Sequence, residues 1–312
     1  MNILRRGPMP DKEKTPAPWS LWAVVCTGMA AISSASILIR LAQAPSLAIA
    51  AYRVTLAALV IAPWALSKRF TSPSKDPLPW KALLFSGLFL ALHFALWIES
   101  LKRTTVASSV TLVSTSPIFT AVFSSFLLKE RIQPLMGAAI AACVAGTAVV
   151  AGLDFRLGIH SLLGDLLALL GGLMASGYFL AGRYARRTLP LRTYIFWSYG
   201  IAGGVLILLC LISRTPLYGF SAETTAVLVL LAVVPQLIGH TSFNWALKHL
   251  SATAVAVLTL GEPLGATTLA FFFFRETVSL PTALGLCVLA AGIVMGAVAS
   301  SSPPKRARSP RA

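Results

Sequence analysis

Charged residues make up only 12% of this 312-residue chain, and just ten residues are Asp or Glu. A water-soluble globule must cover its core with polar surface, so this chain does not fold as one. The mean hydropathy of +0.79 and 56% hydrophobic residues make lipid its solvent. Cysteine is also scarce. Cys26, Cys143, Cys210 and Cys287 fall inside long apolar runs without CxxC spacing and with no His at metal-ligand intervals. That pattern argues against a zinc ribbon or a disulfide framework, and these cysteines read as apolar packing residues. Enzyme signatures are missing too. There is no HExxH and no GxxxxGK, Met174-Ala175-Ser176-Gly177 lacks the leading Gly of a GxSG serine site, and Leu162-Leu163-Gly164-Asp165 lacks the first Gly of a GxGD aspartyl site. The chain is therefore expected to hydrolyse no ATP, to be no enzyme, and to hold neither metal nor cofactor.

What the chain does have is long apolar runs. A bilayer core needs about 20 apolar residues per helix, and ten such segments lie near 18–40, 46–67, 79–99, 105–127, 134–152, 162–182, 194–212, 223–245, 253–274 and 281–299. The expected fold class is all-α integral membrane with ten transmembrane helices. Residues 1–17 and 300–312 read as exposed tails rich in Pro, Ser and charge. Basic residues precede the first segment as in a signal peptide, but its apolar run exceeds the roughly 7–15 residues of a signal h-region, so it reads as retained.

The formal charge of +16 is an orientation signal, because the basic residues alternate by loop. The two tails and the second-to-third, fourth-to-fifth, sixth-to-seventh and eighth-to-ninth connections carry 19 of the 26 Lys and Arg. The opposite connections carry six (Arg40, Lys102, Arg103, Arg156, Arg214 and Arg275), and Arg53 lies early in the second segment. By the bias of Lys and Arg toward the cytoplasm, both termini are expected there, in a bacterial inner membrane. With the charge so used, no nucleic-acid partner is expected.

The chain also repeats itself. Leu101-Lys102, Pro117, Lys129-Glu130 and Ala145-Gly146 recur 146 residues later as Leu247-Lys248, Pro263, Arg275-Glu276 and Ala291-Gly292. Two five-helix halves, 18–152 and 153–299, follow from this offset. An odd number of helices per half makes the second enter from the opposite face, giving inverted repeats, an architecture that solute transporters favour because it offers inward-open and outward-open states.

Polar stripes indicate where a substrate would sit. In the eighth segment Gln236, His240, Asn244 and Lys248 recur at intervals of four and so share a helix face. In the third, His93 and Trp97 lie 147 residues upstream of His240 and Asn244. The first segment adds Cys26, Ser33, Ser36 and Arg40, the fourth Ser108, Thr111 and Thr115, and the ninth Thr259, Glu262 and Thr267. Glu262 stands out, since a carboxylate inside a membrane helix is costly unless paired, solvated or used; it could bind an amine, exchange a proton, or pin the helix break made by Pro263. Arg53 either attracts a carboxylate or snorkels to the outer interface. Tyr178 and Tyr199, with Trp97, could stack on a flat substrate. The expected substrate site is thus His93, Trp97, Tyr178, Tyr199, Gln236, His240, Asn244 and Glu262, with Arg53, Ser36 and Thr115 for substrate or gating. The fifth and tenth segments carry small residues at intervals of four (Gly137, Ala141, Ala145; Gly292, Gly296), which suit a scaffold or a contact with a second copy.

The duplicated ten-helix layout, the thirteen-residue spacing from Pro117 to Glu130 and from Pro263 to Glu276, Arg53 early in the second segment and the Glu262-Pro263 pair together resemble the drug/metabolite transporter superfamily, specifically its EamA-type exporters. The resemblance covers roughly 20–299. It implies a bacterial inner-membrane carrier that exports small metabolites, often amino acids, without ATP. The first half departs from the second by having Ser116-Pro117 where the other has Glu262-Pro263. Aromatic and apolar residues along the stripes lean toward amino acids with aromatic or hydrophobic side chains. The alternatives are a carrier of other small solutes, including phosphorylated or nucleotide-linked sugars, and a non-transporting membrane sensor.

Overall fold

The computed structural model describes residues 16–67, 78–128, 132–151, 159–275 and 278–301. Residues 1–15 and 302–312 of the tails, together with Lys68, Arg69, Lys75, Lys129, Glu130, Arg131, Arg156 and Glu276, lie outside the described residues. Among the described residues there is no strand. Lipid offers no hydrogen bonds, so a spanning segment must satisfy its backbone internally, and apolar runs of this length can do so only as helices.

The elements in order are α1 (Pro18–Ser33), α2 (Ala35–Leu41), α3 (Ser46–Leu66), α4 (Trp80–Ser100), α5 (Val106–Val113), α6 (Ser116–Phe123), α7 (Pro134–Ala151), α8 (Ile159–Ala185), α9 (Leu191–Ile212), α10 (Ala222–Leu231), α11 (Thr241–Ala246), α12 (Ala252–Leu258), α13 (Gly261–Phe274) and α14 (Leu280–Ser301). A π-helical turn at Ser124–Leu128 extends α6, and a π-helical stretch at Ala232–His240 joins α10 to α11. Among the described residues, eight helical stretches are long and apolar enough to cross a membrane, and Pro134–Val149 and Ala283–Ala299 are shorter apolar helices.

The sequence pattern predicts ten helices with a break at Pro263, and the structure interrupts several of them. The first breaks at Ser34, the fourth at Ser114-Thr115 and the ninth at Thr259-Leu260. The last two breaks share a cause. A proline N–H is missing and its ring clashes with the carbonyl four residues back, so the helix restarts just before Pro117 and Pro263. Helix starts repeat as well: the Thr105 hydroxyl accepts from the Ser108 N–H at 3.1 Å to open α5, and the Ser251 hydroxyl accepts from the Ala254 N–H at 3.1 Å to open α12.

Packing follows the 146-residue offset. Helix α3 lies against α9 and α7 against α14; α4 packs on α8, while α1 packs on the π-helical stretch and α11. Exchanging the halves maps these contacts onto one another. Gly146 of α7 and Gly292 of α14 are used within the chain, while Gly137 has nothing within 4 Å of an added Cβ. A Cβ on Gly146 would sit 2.6 Å from the Gly285 carbonyl oxygen and 2.8 Å from the Leu289 nitrogen, and one on Gly292 would meet Cys143 Sγ at 2.5 Å. Such close backbone approach maximises dispersion contact where no hydrophobic effect separates helix from lipid. Outward, Leu59, Trp64, Phe126, Leu211, Phe272 and Val294 are exposed, an apolar surface suited to lipid. Cys26 and Cys287 share that exposure, while Cys143 and Cys210 are buried. Cys26 is therefore a surface residue and not a wall of the interior.

Candidate functional site

A small cavity of about 40 Å³ sits where the broken helices meet α4, α8 and the π-helical stretch. His93, Trp97, Tyr178, His240, Glu262 and Ser116 are among its lining residues, with Phe179, Phe243 and Thr259. Its size admits a few waters at about 10–15 Å³ each. An amino acid does not fit without separation of the walls. A larger groove of about 590 Å³ between α4, α6 and α8 is lined almost wholly by Phe, Leu and other apolar groups, with Lys81 and Tyr184 among them, and offers little polar chemistry.

The repeat brings paired residues to this cavity. His93 and His240 face each other with ring centroids 6.4 Å apart. His93 Nδ1 lies 3.0 Å from the Gly171 carbonyl, which can only accept, so the proton is on Nδ1 and Nε2 is left as an acceptor. Its ring stacks on Trp97 at 5.8 Å with only 10° between planes. Ser116 and Glu262 enter from the restarted helices α6 and α13. Glu262 stands in the first turn of α13, where the helix dipole favours negative charge, and its N–H donates to the Thr259 carbonyl at 2.9 Å across the break. The break and the carboxylate thus belong to one feature.

One layer behind the cavity, Asn244 bolts two phenols in place. Tyr178 Oη donates to Asn244 Oδ1 at 2.8 Å, and Asn244 Nδ2 donates to Tyr199 Oη at 3.0 Å. Tyr199 is fully buried and also bonds Thr241 at 3.1 Å, so of the two tyrosines Tyr178 is the one at the wall. Gln236 is turned away from the cavity toward Arg53. Thr115 Oγ1 donates to the Leu112 carbonyl at 2.8 Å within the fourth-segment break, and the buried Ser36 hydroxyl has no hydrogen-bond partner.

Arg53 does not snorkel. Its side chain is 0% exposed, its Nε donates to Gln236 Oε1 at 2.9 Å, and its guanidinium lies 4.0 Å over the Phe94 ring and 6.0 Å from Trp97. The cation–π contacts explain why an arginine early in α3 turns inward: the aromatic faces of α4 offer a partner that the interface, reached along the lipid side, does not. Among the described residues no three His, Cys, Asp or Glu converge in a way that could hold a metal ion.

Each end of the bundle is tied by cations on backbone carbonyls. At one end Arg40 Nη2 donates to the Thr104 carbonyl at 2.7 Å, Lys102 Nζ donates to the Ala44 carbonyl, and Tyr52 Oη donates to the Leu217 carbonyl at 2.6 Å. Desolvation holds the Lys102 ammonium below its ordinary pKa, with Glu99 opposing the shift. At the other end Arg183 Nη1 donates to the Leu247 carbonyl at 2.6 Å, while Arg186 donates to the carbonyls of Asn244, at 3.1 Å, and Leu189. Burial lowers the Arg186 pKa to about 10, partly offset by Tyr194. Arg40 and Arg186 stand 146 residues apart, at the ends of equivalent segments. Loop charge alone reads Arg186 as an orientation signal, but the repeat offset, applied to Arg40, identifies it as a tie.

The comparison with known proteins decides the family. The model of the EamA-like transporter family matches this chain twice, over residues 17–152 and 162–297. The chain belongs to the EamA-like transporter family. Its relatives include an uncharacterized transporter of Archaeoglobus fulgidus, 26% identical over 79% of this chain and 86% of the relative. The uncharacterized transporter YxxF of Bacillus subtilis is 23% identical over 68% of each chain. A solved structure, titled only as the crystal structure of a protein, shares the fold with a TM-score of 0.72 at 20% identity, covering 92% of this chain and all of the other. This EamA-family chain is thus a multi-pass membrane transporter, and the helix breaks at its paired prolines fall once in each matched unit.

Proposed function

We propose that this transporter moves amino acids with aromatic or hydrophobic side chains outward across a bacterial inner membrane, both termini cytoplasmic, by alternating access of two inverted five-helix halves. In this reading α7 and α14 also span, giving ten crossings, since about 18 and 22 residues at ~1.5 Å each approach the ~30 Å hydrocarbon core. The observation that carries it is the central cavity. Both halves contribute equivalent residues to it, His93 with His240 and Ser116 with Glu262, and cation–carbonyl ties lie at both ends of the bundle. Releasing one set of ties while keeping the other would open the cavity to one side.

Aromatic walls at Trp97, Tyr178, Phe179 and Phe243 favour an apolar or aromatic side chain. Polyanionic sugar phosphates call for several cations, whereas no Lys or Arg is among the cavity's lining residues and the guanidinium beside Trp97, that of Arg53, suits a single negative charge. The test is counterflow of labelled phenylalanine and leucine in proteoliposomes, with and without a pH gradient. Saturable flux is expected for at least one of them; no amino acid moving under any gradient would overturn the substrate assignment. His240→Ala is expected to reduce flux, and wild-type flux in that variant would remove His240 from the pathway.

A further inference from the structure

Beside the cavity is a group of buried donors with no acceptor. Arg53 Nη1 and Nη2, Gln236 Nε2 and Trp97 Nε1 all lack a hydrogen-bond partner, and their residues are 0%, 0% and 2% exposed. They form one neighbourhood. Gln236 Oε1 accepts from Arg53 Nε, since arginine can only donate, so the Gln236 amide nitrogen is left facing Tyr199, whose hydroxyl is already engaged by Asn244 and Thr241. The Arg53 guanidinium carbon lies 6.0 Å from the centre of the Trp97 ring, which lines the cavity and stacks on His93. Native interiors pair the large majority of their buried polar atoms, so a concentration of unpaired donors on neighbouring side chains calls for a reason. Four such donors on three neighbouring side chains, two of them on a permanent cation, mark a place built for something that accepts.

The chemistry of that acceptor follows from the donors. A guanidinium fork presents two parallel N–H bonds that match the two oxygens of a carboxylate, and the indole and amide N–H groups add neutral donors. One cation suits one negative charge. Glu262, the acidic residue within electrostatic reach of Arg53, makes no hydrogen bond to its Nη atoms and lines the cavity beside Trp97. It is thereby left free to meet a positive group.

We propose that Arg53, Gln236 and Trp97 form the carboxylate subsite of the transport site, with Glu262 receiving the ammonium of the same zwitterionic substrate. This rests on the amino-acid reading above for the ammonium, while the carboxylate subsite stands on the orphaned donors alone. The substrate then lies with its charged end toward α3 and its side chain among the aromatic walls.

The test is ligand binding by the purified full-length protein in nanodiscs, with three probes: L-phenylalanine, 3-phenylpropionate and L-phenylalaninamide. The first two should bind, and the amide at least tenfold more weakly than phenylalanine. Arg53→Lys keeps the charge but loses the fork, and should weaken both carboxylates at least tenfold. Gln236→Glu places a protein carboxylate against the guanidinium. It should raise the melting temperature and abolish carboxylate binding, so its readout does not depend on a weakened fold. Equal binding of phenylalanine and its amide would overturn the subsite and leave the amino-acid reading standing. If 3-phenylpropionate binds in an Arg53-dependent way and phenylalanine does not, the subsite stands and the amino-acid reading falls. Binding of neither carboxylate, or undiminished carboxylate binding in Gln236→Glu, would overturn the subsite.

Discussion

Removing the Asn244 side chain tests the layer that holds the cavity wall in place. The amide accepts from Tyr178 at 2.8 Å and donates to Tyr199 at 3.0 Å, all three side chains being almost wholly buried. Asn244→Ala deletes both bonds; Tyr199 keeps Thr241 at 3.1 Å, and Tyr178 loses its amide acceptor. In a soluble core each stranded group would cost about 1–3 kcal/mol. In a bilayer the unfolded reference also finds partners, and measured interhelical bonds average about 0.6 kcal/mol with a maximum near 1.7. Two bonds therefore predict a loss of roughly 1–3 kcal/mol, and a double-mutant cycle with Tyr178→Phe predicts a coupling of about 0.6–1.7 kcal/mol. Equilibrium unfolding in mixed micelles, followed by tryptophan fluorescence over a detergent titration, measures both. A cost below about 0.3 kcal/mol, or additive single variants, would refute the claim that Asn244 is a structural bolt.

Gly146→Val drives a side chain into backbone on α14 that cannot give way, and should abolish the folded, monodisperse fraction in size-exclusion chromatography. Gly200→Ala, with nothing within 4 Å of the added carbon, should be neutral or stabilise by up to about 1 kcal/mol in a thermal melt. His249, against Trp245 in the 246–252 connection, has its pKa lowered by desolvation and then by Lys248, Arg186 and Arg183. A base with a depressed folded pKa binds fewer protons than the unfolded chain, so its contribution is present above about pH 6.5 and is lost as pH falls below that value. The melting temperature should decline from pH 7.5 to 5.5, and less steeply in His249→Gln; equal slopes would contradict this. Arg186→Ala releases the tie to Asn244 and Leu189, so Ser116→Cys, on a background with Cys26, Cys143, Cys210 and Cys287 replaced by alanine, should react faster with an impermeant thiol reagent added from the side of the 246–252 connection. Labelling unchanged by the Arg186 substitution would remove that tie from the gate.

Part of the site was legible because the repeat copies chemistry as well as shape. His93 and His240 fall within one residue of the repeat offset, and they face each other across the cavity. Glu262-Pro263 signalled a helix break, and Pro117 sits at its twin, although Ser116-Pro117 carries no carboxylate to draw attention. The stripe from Gln236 to Asn244 was less transparent. Spacing by four implies one face on an α-helix, but Ala232–His240 is π-helical, which turns Gln236 toward Arg53 while His240 lines the cavity. Asn244 read as a cavity residue by its spacing from His240, and Tyr199 as an aromatic inside a span; both lie behind the wall, bonded to each other.

The sequence by itself determined that the chain lives in lipid, that its elements are helices, and that it is built twice, because hydropathy, segment length and a constant offset are properties of the chain read in order. Tertiary structure alone decided which polar atoms are spent and which are spare. Whether a hydroxyl, amide or guanidinium is satisfied depends on partners such as Asn244 for Tyr178, 66 residues away, and Gln236 for Arg53, 183 residues away. Arg53 shows the difference most clearly. Its position was apparent from the first reading, yet the direction it faces, and the two nitrogens it leaves unpaired, come from the aromatic faces packed against it by helices distant in the chain.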